Sequence, residues 1–519
     1  MSNNKPCENS SLPNWSKVWS LSLIGVFLIR IFPFINGNYL YDEAMSLTVY
    51  VLAKENILQV FRDYSMANNH ILSNVIYWLW LSIIGQNGLV LGLFGRFPSI
   101  ACGIGSILMV LFLWKSFMSE RRCAIAALLI ALSPVYSGFA WQIRGYSLVF
   151  CLGIALVSAS LYRLWQMTVR NWISTFLLSL LLPIAMPSAV MLPVAVGMGM
   201  GASYWIAKRD IKKAFGLVLP VFIGVFLGGA YYLTLGTQFW DAARAAGGWN
   251  SFWLTLGNIS LAFALHCGIY TVCIPVLLWQ AWRRIVYFIR LKTKVPFDDV
   301  LRIYPSLLAF SVAAVILGLL LCRNPLYKYP FPRVFILMLA PLTFAVLSCD
   351  VVSRKLSFWK QVALTLCFAV LSNVCCDLYV KWAGSDYSRP CQNLLVQRWR
   401  GSEIFYKVAR IIIAERQETE DAITLIDGNL VPSVGLYCKL LNFDWLASGF
   451  KAVMDAEWLN HDYLEMALES KVKIKILTQN ENEAYDILRK ISFEHKTSLS
   501  TRKQYGNYTY YEVNFLSSP

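Results

Sequence analysis

Residues 71–85 read ILSNVIYWLWLSIIG, and the threading of the rest of the chain depends on whether this run crosses a bilayer. As a helix it is about 22 Å long, too short for an untilted crossing of a hydrocarbon core about 30 Å thick. Counting it as a crossing would also transfer every later loop to the other side. Those loops are basic: the runs 115–122, 163–170, 208–213, 282–302 and 354–360 together hold 18 Lys and Arg. Cationic loops stay in the cytoplasm. The segment 70–85 is therefore predicted to lie along the outer surface as a juxtamembrane helix, with Ser73, Asn74 and the Trp residues suited to an interface.

With that choice the remaining apolar runs give about 11 transmembrane helices, at 17–35, 95–114, 123–140, 146–162, 172–187, 189–207, 214–235, 255–281, 304–322, 333–350 and 361–380. The predicted fold class is a polytopic α-helical membrane protein. Its composition agrees: 57% of the 519 residues are hydrophobic and only 15% charged, too little polar surface for a soluble chain of this size. An odd number of crossings from a cytoplasmic N-terminus puts the C-terminus outside. Residues 17–35 show no cleavage-site pattern and read as a retained first span.

The net charge of +16 does not indicate nucleic acid. From Lys381 onward 17 Lys and Arg stand against 18 Asp and Glu, so the excess, 29 against 12, lies among the short loops before it, where it faces anionic lipid. The 13 cysteines are mostly scattered through spans, as for Cys102, Cys151 and Cys367, without metal-type spacing. Cys391 and Cys438 lie in the outer tail, and their spacing alone does not decide whether they pair.

Two domains are expected: a membrane domain over 1–380, with a first outer loop at 36–94, and an extracytoplasmic domain over 381–519. Beyond Ala383 the long apolar runs stop. The pattern there becomes a helix (IFYKVARIIIAERQ), a strand (AITLID), a helix (VPSVGLYCKLL), a strand (KVKIKILT) and an amphipathic helix (NENEAYDILRKI), closed by a Tyr-rich strand, YGNYTYYEVNF. This predicts a small α/β domain with its own core.

Ionisable residues beside membrane spans are costly and therefore suspects for function. In NGNYLYDEAMSL, at the outer end of the first span, Asp42 and Glu43 can serve as a base toward a hydroxyl. Neighbours on a helix diverge by about 100°, so one faces the chemistry and the other orients it; a plain helix cap is the bland alternative. Arg144 and Tyr146, in WQIRGY, offer phosphate a guanidinium fork and a phenol, or simply form an interfacial belt. Arg96, in GRFPS, opens the next span ahead of Pro98 in its first turn, and RNPLYKYPFPRVF brings Arg323, Lys328 and Arg333 to the outer side. Asn69 and His70 begin the surface helix and are candidates for donor or acceptor contact. The four His residues lack ligand spacing, so no metal site is assigned. A divalent ion is unsupported by the sequence, and no nucleotide cofactor is expected in the absence of a P-loop or dinucleotide fingerprint.

A carboxylate pair and several cations at one membrane surface suit sugar transfer from a lipid phosphate. The order of these motifs resembles the GT-C glycosyltransferases of the protein O-mannosyltransferase and aminoarabinose transferase type. The likeness rests on YDEA after the first span, NNHILSNVIYWLW for a His-Pro-Pro-Leu surface helix, RFPS for Arg-Leu-Pro-Ser, and WQIRGY for Gln-Glu-Ala-Arg-x-Tyr. Departures are Gln142 where many relatives have Glu, the missing prolines after His70, and PRVF for Glu-Arg-Tyr.

The resemblance implies an inverting transferase with a polyprenyl-phosphate sugar donor. It makes Asp42 the general base with Glu43 beside it, and gives donor phosphate to Arg96, Arg144 and Arg333, to which the reading of the residues themselves adds Tyr146 and Lys328. Expected partners are that donor, an acceptor among lipopolysaccharide, other glycolipid, glycan and protein, and the lipid bilayer. The expected location is a bacterial inner membrane with the C-terminal domain in the periplasm. Two other readings of the same residues stay open: a flippase or transporter of lipid-linked sugar, and a polymerase-like enzyme using pyrophosphate-linked oligosaccharides.

Overall fold

The computed structural model describes residues 15–35, 41–64, 69–85, 92–239, 297–322, 335–348 and 357–383, with short pieces elsewhere that include five strands between 422 and 515. Its helices are α1 (Trp15–Ile35), α2 (Tyr41–Met45), α3 (Ile57–Arg62), α4 (Ile71–Ile84), α5 (Gly92–Leu113), α6 (Glu120–Leu132), α7 (Pro134–Phe139), α8 (Tyr146–Trp165), α9 (Val169–Ala185), α10 (Met191–Lys208), α11 (Ile211–Leu233), α12 (Phe297–Cys322), α13 (Ile336–Leu347) and α14 (Phe358–Ala383). Among the described residues, five helices are long and apolar enough to cross a membrane, and several shorter apolar helices, α4 and α9 among them, accompany them. The run expected to span 255–281 lies, apart from short helical pieces from 275 on, outside the described residues.

Two expectations are corrected. The span predicted at 123–140 is broken, because Pro134 cannot continue a helix and holds the residue before it extended. Ser133 sits at φ −60°, ψ 124°, and its Oγ accepts from the Tyr136 amide, so α7 starts afresh with Pro134 in its first turn. Helix α5 begins at Gly92 rather than at 95, which puts Pro98 inside the helix instead of in its first turn.

Prolines inside these helices leave carbonyls without their usual amide partner, and neighbouring side chains supply the donors. Pro98 frees the carbonyl of Phe94, which accepts from the Trp80 indole of α4 at 2.8 Å. Pro220, in α11, frees Gly216, whose carbonyl accepts from Arg163 Nη2 at 3.2 Å while Leu217 O accepts from Arg163 Nε at the same distance. Each bond offsets the cost of a bare carbonyl in an apolar medium.

The bundle packs at small residues, as expected where lipid removes the hydrophobic incentive to associate. A Cβ on Gly224 or Gly228 of α11 would come within 2.6 Å of the carbonyl of Phe176 or Leu180 in α9, respectively. Side-chain bonds add to this: Trp114 Nε1 donates to Ser158 at 3.1 Å, and the hydroxyls of Ser160 and Tyr304 join α8 to α12 at 2.6 Å. Arg30 of α1 donates to the Asn373 side chain of α14, a cation inside one apolar helix answered from another.

Toward the C-terminus the strands are β1 (Ala422–Asp427), β2 (Phe450–Val453), β3 (Lys473–Thr478), β4 (Thr497–Tyr505) and β5 (Tyr508–Phe515), in sheet order β2-β1-β3-β5-β4. β1 is parallel to both β2 and β3, and β5 is antiparallel to β3 and β4. Strands were expected at β1 and β3, and the Tyr-rich segment proves to be a hairpin in which Tyr505 closes β4 opposite Tyr508. Cys391 and Cys438 lie outside the described residues.

Candidate active site around a buried ion pair

Three segments converge on one buried ion pair. Helix α2 carries Glu43, α5 carries Arg96, and the turn between α7 and α8 carries Ile143 and Arg144. Arg96 Nε and Nη2 donate to Glu43 Oε1 and Oε2 at 2.9 and 2.7 Å, and both side chains are 0% exposed. The same Glu43 Oε1 accepts from the Ile143 amide at 2.9 Å, and Arg96 Nη1 donates to the Ile35 carbonyl that ends α1 at 3.0 Å. The guanidinium lies over the rings of Tyr39 and Trp141, at 4.8 and 5.0 Å from their centroids, and Trp141 stacks on Phe34 of α1. Burial holds the Tyr39 phenol above its ordinary pKa, partly offset by the charge of Arg96; its hydroxyl donates to Leu89 O.

Immediately after α2 the backbone widens into a π-helix, Ser46–Leu52, a form frequent at functional sites. Its first residue is a partner of Arg144, whose Nη1 donates to Ser46 Oγ at 3.1 Å. Arg144 is buried and lies 6.0 Å from the centroid of Tyr146. The Tyr146 ring meets His70 edge-on at 4.8 Å and Phe139 at 5.2 Å. Gly145 passes so near this pair that a Cβ there would sit 2.7 Å from His70 Nδ1. The Tyr146 hydroxyl and the Trp141 indole N–H are buried and have no hydrogen-bond partner among the described residues.

The loop that delivers His70 is tied through Asn69, which donates to the Asp63 carbonyl at 2.7 Å and accepts from Asn74. Gln142 is buried and donates to Gly138 O at 3.1 Å, while its own carbonyl accepts from Ser99 Oγ at 2.6 Å. Ser99 also meets the Tyr77 hydroxyl, which fastens α4 to α5.

Of the residues expected to form the site, Glu43, Arg96, Arg144, Tyr146, His70 and Asn69 fall in this one region. Asp42 belongs to α2 directly before Glu43, but its side chain lies outside the described residues, as do Lys328 and Arg333. The reading of Arg96 as a phosphate contact meets a guanidinium committed to Glu43 and Ile35 and enclosed by two rings. Sequence reasoning did not single out Ser46, Tyr39 or the Ile143 amide. Ser46 stands one turn after Asp42, the spacing that would have flagged it; nothing local marks a backbone amide as a carboxylate donor. Among the described residues no cluster of three His, Cys, Asp or Glu side chains could hold a metal ion.

The helical bundle that carries this constellation has the fold of the GT-C glycosyltransferases. The chain is similar to ArnT from Cupriavidus metallidurans in the apo state, with TM-score 0.57 and 11% identity over 97% of this chain and 98% of that one. The same protein bound to undecaprenyl phosphate matches with TM-score 0.55 at the same identity and coverage. The apo oligosaccharyltransferase of Archaeoglobus fulgidus matches with TM-score 0.52 and 11% identity over 95% of this chain and 74% of that chain. No family model and no curated protein matches the sequence.

Proposed function

We propose that this protein is a membrane glycosyltransferase that moves one sugar from a polyprenyl-phosphate donor to a hydroxyl acceptor at the outer membrane surface. The observation that carries the reading is the Glu43 carboxylate, which binds Arg96 and the Ile143 amide at once and so fixes the helix bearing Asp42 beside the turn bearing Arg144. The undecaprenyl phosphate bound by structurally similar ArnT supports the choice of donor.

In this reading Asp42 takes the proton of the acceptor hydroxyl as its oxygen bonds to the anomeric carbon. The bond from that carbon to the phosphate oxygen breaks on the opposite face, inverting the configuration. The departing lipid phosphate is met by Arg144 and by the Tyr146 hydroxyl, which has no partner among the described residues, and Lys328 and Arg333 are further candidates for it. Such preset donors act on charge as it develops. Glu43 and Arg96 are positioning residues, while Asn69 and His70 border the site where donor or acceptor enters. The acceptor classes are lipopolysaccharide, other glycolipids, glycans and proteins, and the assigned topology has a cytoplasmic N-terminus and periplasmic C-terminal residues in a bacterial inner membrane.

The test is transfer by purified protein in lipid, supplied with a panel of radiolabelled polyprenyl-phosphate sugars and crude envelope acceptors, with Asp42→Asn alongside. Label reaching acceptor with wild type alone is the expected result. Movement of lipid-linked sugar between leaflets without any glycosidic product would overturn it in favour of transport.

A further inference from the structure

We infer that the rim at the carboxyl end of the C-terminal sheet, centred on Asp427, is a carbohydrate-binding site that receives the acceptor glycan; its role, though not its existence, rests on the transfer reading above.

The topology places the site. β1 and β3 are adjacent and parallel. From the carboxyl end of β1 the chain goes to β2 on one side. From that of β3 it goes to β4 on the other, and β4 runs parallel to β3 because both oppose β5. Connections that leave neighbouring strands in opposite directions open a crevice between their carboxyl ends, the usual ligand position in such sheets.

The residues that the register brings to this rim share one chemistry. β1 ends on Asp427, level with Val453 at the end of β2. Two places beyond the Leu425–Ile476 pair, the same register sets Asp427 level with Thr478, the last residue of β3. Thr478 is paired with Thr509, Thr509 with Gln504, and Tyr505 with Tyr508. The register positions at this end are thus Asp427, Thr478, Thr509, Gln504, Tyr505 and Tyr508: one acidic residue, five neutral polar ones and no basic one. A carboxylate among neutral donors and acceptors matches vicinal hydroxyls, as where an acidic residue binds a ribose diol. It does not match phosphate, for which the cations of the membrane site are the better fit. Three strand-to-strand steps give the rim a width of about 14 Å, room for a short oligosaccharide rather than one hydroxyl.

The experiment uses the full-length protein in lipid nanodiscs on an array of free, phosphate-free oligosaccharides, comparing wild type with Asp427→Asn and Thr478→Val. Wild type should bind at least one glycan saturably, while Asp427→Asn and Thr478→Val each bind it at least tenfold more weakly. Binding of undecaprenyl phosphate in the same nanodiscs should be unchanged in all three. No glycan binding by wild type, or undiminished binding by Asp427→Asn, overturns the proposal. If Asp427→Asn also loses the lipid phosphate it has misfolded, and Thr478→Val then decides. Glycan binding that persists in a protein that transfers nothing would remove the transferase reading and leave the binding site standing.

Discussion

Arg96 and Glu43 are 53 positions apart and meet in a two-pronged contact with no water access on either side chain. A buried pair of this kind contributes little net stability beyond what apolar residues would give, but removing one partner strands the other charge. Glu43→Gln or Arg96→Met should each cost about 3–5 kcal/mol, read as a fall in the unfolding midpoint in detergent. The double variant should regain much of the loss, short of the bond to the Ile143 amide, worth about 1 kcal/mol. Additive losses would show that the pair is not the coupled unit described.

Asp42→Asn should leave the unfolding midpoint near that of wild type and lower transfer by about 10² to 10⁴, the usual cost of losing a general base. Single-turnover transfer in lipid measures it. Full activity would remove Asp42 from its role.

The Tyr146 hydroxyl is buried without a partner among the described residues, so Tyr146→Phe removes an unsatisfied group. Stability should hold or rise by about 1 kcal/mol, while affinity for polyprenyl phosphate falls about tenfold through the lost bond to a charged oxygen. A variant that is destabilised and binds donor normally would show that the hydroxyl serves the fold.

Gly145 faces His70 at a distance that no Cβ accommodates. Gly145→Ala should therefore displace the imidazole or the turn and reduce transfer at least tenfold, a shift of a few tenths of an ångström sufficing where reacting groups must align. His70→Ala in the same chain should restore part of the activity, giving a double-mutant coupling of about 1 kcal/mol or more. Strict additivity would place the damage elsewhere.

Several helices were readable because hydropathy is a local quantity: the ends predicted for the first, fourth and seventh spans lie within about three residues of α1, α8 and α11. The break at Ser133 was also written in the sequence, in Pro134, but a continuous apolar run hid it. Motif order found six of the residues that gather at the site, yet it assigned Arg96 to phosphate. A lone Arg beside a span says nothing about a partner 53 residues away. β2 has four residues, and β4 reads TSLSTRKQY, polar enough to pass for loop; as the two edge strands of the sheet they lacked the apolar alternation that signals a buried one.

Arg163 serves two carbonyls in α11 that lie beside Pro220, one of them freed by that proline. Helix α11 is therefore not self-sufficient in a bilayer, since a bare carbonyl there must find a donor from elsewhere. Its donor is carried by α8, a segment synthesised earlier. The order of the chain thus ensures that α11 emerges into a membrane where its missing bond can already be made, so a truncated chain lacking α8 should insert α11 less efficiently even though α11 is the more apolar of the two.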